Sequence, residues 1–200
     1  MLVNFLLGFL GVILFLFVFW KRLKEDYSSD IIFQVAISIL VGVALGQVIS
    51  KLFFPDWFFW VSFLGSLIGM LLMIAKFKLR FHETFEALIL AGMPFISLMF
   101  FNDSIANSSL NSFLAFVVSL VLIFLAYWFD LNYKNFTWYR SGKIGFTGLF
   151  TAAIFFSVRT VIAIIGITVV SFVVKFEAFA SAVATLVSIG LLVNLGRKKE

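Results

Sequence analysis

Few residues in this chain can do chemistry, and Arg159 is the most conspicuous of them. It stands in Phe-Phe-Ser-Val-Arg-Thr-Val-Ile-Ala, and from Ile144 to Val174 no other residue carries a charge. An arginine in such a run reads as a functional residue until a partner is found. Its side chain could recognise an anion or phosphate, or pair with a carboxylate. Asn102 and Asp103, in Phe-Phe-Asn-Asp-Ser, offer hydrogen-bonding and acidic groups beyond an apolar run, where turn and cap residues also fall. His82-x-x-x-Glu86 sets an imidazole and a carboxyl one helical turn apart, a spacing open to acid–base or metal chemistry. Neither an HExxH pattern nor a second histidine accompanies it, so no metal site is expected, and no cofactor is implied. With no cysteine, disulfides, iron–sulfur clusters and thiolate nucleophiles are excluded.

The elements that must position these groups are membrane spans. Of 200 residues, 63% are hydrophobic and 12% charged, with 29 Phe and a mean hydropathy of +1.15. Soluble domains carry about 25% charged residues. The expectation is an all-α integral membrane protein forming one polytopic domain over residues 1–200. A span needs roughly 20 apolar residues, and seven runs qualify: 2–20, 30–50, 57–75, 84–101, 111–129, 144–174 and 178–196. The first is followed by Lys21-Arg22-Leu23-Lys24, the reverse of a signal peptide's charge order, so it reads as an uncleaved helix. The sixth run would extend about 46 Å as a helix against roughly 30 Å of hydrocarbon. It must tilt, break (Gly166 is the obvious place) or protrude.

Lys and Arg in the connections fall twelve on one side and two on the other. The positive-inside rule then puts the N-terminus outside and the C-terminus in the cytoplasm. Trp20, Trp57, Trp60, Trp128 and Trp138 lie near span ends, at headgroup depth. The net charge of +5 belongs to these short connecting clusters, which indicates membrane topology and not a nucleic-acid face. Gly42-Val-Ala-Leu-Gly46 and Gly65-Ser-Leu-Ile-Gly69 have the small-residue spacing of close helix packing. Glu177 and Lys175 read as the outer corner of the last hairpin. Asn-Ser-Ser at 107–109 and Asn-Phe-Thr at 135–137 match the glycosylation pattern, as chance alone would allow.

Taken in order, these features resemble the bacterial prolipoprotein diacylglyceryl transferases, from the first span to about Ala163. The residues that carry the likeness are Gly8-Phe9, the basic 21–24 loop, Asp30, Gly42 to Gln47, Ser62-Phe63-Leu64-Gly65-Ser66-Leu67-Ile68-Gly69, and Phe81 with Glu86-Ala87-Leu88. Asn102 and Ser104 follow, then Gly142, Gly145, Phe150 and Arg159. The resemblance implies a seven-span protein of the bacterial plasma membrane. Its activity would be transfer of diacylglyceryl from phosphatidylglycerol to a lipobox cysteine of a lipoprotein precursor. It places Arg159, with Asn102 and Asp103 near the outer mouth, at the lipid phosphate. Leu64, Ile96 and Met99 stand where the family has a histidine, an arginine and an asparagine that its reaction needs, so a phospholipid-binding relative without catalysis is the alternative. A small anion transporter is a third reading, with Arg159 as the anion's partner; it would call for polar residues on several spans.

Overall fold

The computed structural model describes residues 2–132, 145–165 and 176–197. Among them are helices α1 (Leu2–Leu23), α2 (Ser29–Phe53), α3 (Phe58–Phe77), α4 (Phe81–Asn107), α5 (Leu110–Asn132), α6 (Phe146–Ile165) and α7 (Glu177–Arg197). A 3-10 turn, Pro55–Trp57, joins α2 to α3, and no strand occurs among the described residues. All seven helices are long and apolar enough to cross a membrane. Most of them outrun the expected spans because the chain stays helical into polar residues that flank the apolar runs, such as His82 and Glu83. The sixth helix is described only to Ile165, so the proposed break at Gly166 lies outside the described residues. Lys175, Trp138, Gly142 and the 135–137 pattern lie outside them as well.

Each helix ends where its sequence allows. Lys78 (φ 54°) and Ser108 (φ 48°) close α3 and α4 in the left-handed conformation. Gly145, at φ 122°, opens α6 with a backbone that an L side chain rarely adopts; a Cβ there would also press on the His82 Cβ at 3.0 Å. Within the spans, the hydroxyls of Thr151, Ser157 and Thr160 donate back to carbonyls four residues earlier, which satisfies them without water.

α4 is the most enclosed helix and packs against α1, α5, α6 and α3. α2 and α3 form a hairpin whose seam is backbone against backbone. A Cβ on Gly42 would overlap the Gly65 carbonyl, and one on Gly65 the Gly42 carbonyl. One on Gly46 would come within 2.6 Å of Val61 O, and one on Gly69 within 2.5 Å of Ser38 O. The Ser38 hydroxyl donates to Gly69 O at 3.2 Å across the same seam. The two glycine pairs therefore serve as the close-packing surfaces that their spacing predicts.

Candidate functional site

The side-chain contacts gather the polar groups at opposite ends of the bundle. At one end, Arg22 in the last turn of α1 reaches Glu86 on α4, and its other guanidinium nitrogen lies 2.7 Å from Asp130 Oδ1 on α5. Glu86 is fully buried, because α6 comes close at Gly148: a Cβ there would lie 2.5 Å from the Glu86 Cα. Beside this cluster the Tyr27 hydroxyl donates to Glu83 Oε2 (2.9 Å) and accepts from the Arg80 backbone N–H (3.1 Å). Arg80 also donates to Glu83 Oε1 at 2.8 Å. Burial pushes the Tyr27 hydroxyl above its ordinary range, and the bond to Glu83 acts in the same direction. The bond to Glu83 likewise raises the Arg80 guanidinium. His82 stands edge-on to the Phe81 ring, and Glu86, its neighbour one turn on, is held by Arg22 from a different helix.

At the other end lies Arg159, sealed at 3% exposure and paired with Glu177 at 1%. Its Nε donates to Glu177 Oε1 at 2.8 Å, and a second nitrogen lies 2.7 Å from the same oxygen. Trp60 Nε1 donates to Glu177 Oε2 (2.8 Å), and the Ser181 hydroxyl to Oε1 (2.7 Å). The guanidinium carbon sits 3.8 Å from the centre of the Phe59 ring, a cation–π contact. Thus α3, α6 and α7 meet at one ion pair. Glu177 stands at the start of α7 and turns inward to serve as the partner of Arg159. The sequence held one clue. Glu177 is the first carboxylate after Arg159, and it opens a helix, where a negative charge is favoured.

The other candidates are placed apart from Arg159. Asp103 accepts from the Ser112 hydroxyl and, at 2.6 Å, from the Asn107 amide, so it fastens α4 to the start of α5. Asn102 lies with Asn4 and Gln47 on a cavity between α1, α2, α3 and α4. The Asn102 Oδ1 is buried there with no hydrogen-bond partner. That cavity shares Gln47, Phe58, Phe95 and Met99 with an adjoining cleft, which runs inward between Ile39, Phe59, Ser62, Leu88 and Phe156. No ionisable side chain lines either space. Arg159 instead borders a separate small recess between α4, α5 and α6.

Helical throughout among the described residues, with all its helices apolar enough to cross a bilayer, the chain is a multi-pass membrane protein. No family model, no curated protein and no solved structure matches it.

Proposed function

We propose that the protein binds a membrane glycerolipid, seating an acyl chain in the cleft between α1, α2, α3, α4 and α6, and does no transfer chemistry there. The observation that carries this reading is the cleft itself: apolar walls leading to an end lined by the amides of Asn4, Gln47 and Asn102. Such walls offer a hydrocarbon chain van der Waals fit, and left without one they would forfeit those contacts. The positive-inside bias supports an N-terminus outside and a cytoplasmic C-terminus. With the resemblance, it favours the plasma membrane of a bacterium and a phosphatidylglycerol-like phospholipid as the first lipid to test.

Diacylglyceryl transfer to a lipobox cysteine is the activity that the resemblance implies. It would need a base near the thiol and positive charge at the glycerol-phosphate leaving group. The cleft lining supplies neither, and Arg159 spends its charge on Glu177. This favours the binding reading over the transferase.

Gly92→Leu tests it. Gly92 lines the cleft, and a Cβ there meets nothing within 4 Å, so the new side chain fills space without displacing backbone. The wild type purified from membranes should carry glycerolipid by native mass spectrometry, and Gly92→Leu should lose it at unchanged thermal stability. Equal lipid in both proteins refutes the reading. A diacylglyceryl thioether formed from phosphatidylglycerol and a lipobox peptide replaces it with the transferase.

A further inference from the structure

The end of the cleft presents an acceptor where a phosphate site would present a cation. Asn102 Oδ1 is buried without a partner, and an oxygen in that state gains only from a hydrogen-bond donor. A phosphodiester carries acceptors alone, and the headgroup hydroxyls of phosphatidylglycerol could reach the amide only by bringing its charge with them. Burying its charge among three amides would cost far more than the amide bonds return. Of the described lysines and arginines, Lys51 and Arg159 belong to this end of the bundle. Neither lines the cavity, and Arg159 is paired with Glu177. Lys21, Arg22, Lys24, Lys76, Lys78 and Arg80 all belong to the opposite end.

A lipid whose glycerol ends in a free hydroxyl meets these conditions. Its hydroxyl supplies the donor that Asn102 Oδ1 lacks, its ester carbonyls accept from amide N–H groups such as those of Gln47, and it brings no charge to be neutralised. From this match we infer that the cleft selects an uncharged glyceride of the diacylglycerol class over charged phospholipids. The glycerol hydroxyl would lie at Asn102, and one acyl chain would run inward past Phe59 and Phe156. The inference rests on the lipid-binding reading above and names its ligand.

The experiment offers the purified, delipidated protein equimolar dioleoylglycerol and dioleoylphosphatidylglycerol and reads bound mass by native mass spectrometry. The glyceride should exceed the phospholipid about tenfold, the effect of one well-made buried hydrogen bond and an avoided buried charge. Asn102→Leu should take from the glyceride its hydrogen bond and narrow the ratio severalfold, while Gly92→Leu removes both lipids. Gln47→Leu, which should narrow the ratio by a smaller factor, stands in if Asn102→Leu does not fold. Equal retention, a preference for phosphatidylglycerol, or a ratio indifferent to both amide substitutions overturns the selectivity and leaves lipid binding standing. Retention of neither lipid by the wild type overturns the binding reading itself.

Discussion

Among the described residues, the two arginines that the bundle takes inside are held in opposite ways. Arg22 is 23% exposed and stands between two carboxylates, one fully buried (Glu86) and one 32% exposed (Asp130). Arg159 is sealed and has one carboxylate, whose own oxygens are filled by Trp60 and Ser181. The first is a cluster with slack: if one partner goes, the guanidinium keeps the other, and water reaches its edge. The second is closed, so removing a member strands a charge with no nearby solvent. A buried pair adds little net stability over apolar residues of the same shape, but breaking it from one side is expensive. The sealed pair is therefore best understood as a fastening of α3, α6 and α7, and the open cluster as a joint between α1, α4 and α5.

The largest effect should follow from breaking the sealed pair. Arg159→Ala leaves Glu177 charged and buried, and should cost about 3–5 kcal/mol of stability, read by denaturant unfolding in mixed micelles. Replacing both Arg159 and Glu177 by leucine should recover most of that loss. A single substitution as benign as the double would erase the distinction between the two sites. Glu86→Gln comes next, at about 1–2 kcal/mol, because Arg22 keeps Asp130. Asp130→Asn should cost less than about 1 kcal/mol, as an exposed ion pair does, and should shrink further at high salt. A larger loss at Asp130 than at Glu86 would invert the assigned order within the cluster. The smallest effect is one of pH. Tyr27 titrates higher in the folded protein than its ordinary value of about 10, so the contribution of its raised pKa is fully present below that pH. It fades as pH rises through the folded value, and Tyr27→Phe should remove that part of the alkaline decline.

What could be read from the sequence was what depends on local pattern. The seven helices follow from runs of apolar residues, and the α2–α3 seam from glycines four apart, because both signals sit within one or two segments. Pairings between distant segments left no such trace. Glu86 was legible as a carboxyl one helical turn from His82, yet its partner Arg22 is 64 residues away on another helix. Glu177 was read as a corner residue because it lies at a helix start; that it turns inward depends on where α3 and α6 stand beside it. Asn102 was singled out, but its setting was not. The cavity it shares with Asn4 and Gln47 needs four helices brought together by packing.

The glycine seam also acts as a gauge. Ile39, Leu40 and Val43 on α2 and Ser62, Phe63 and Ser66 on α3 form one side of the cleft, and the hydrogen atoms of Gly42 and Gly65 set how near those two helices lie. Lengthening either by a single carbon would wedge the hairpin open and move that whole side. The bore available to a ligand is thus fixed by two positions that never touch it.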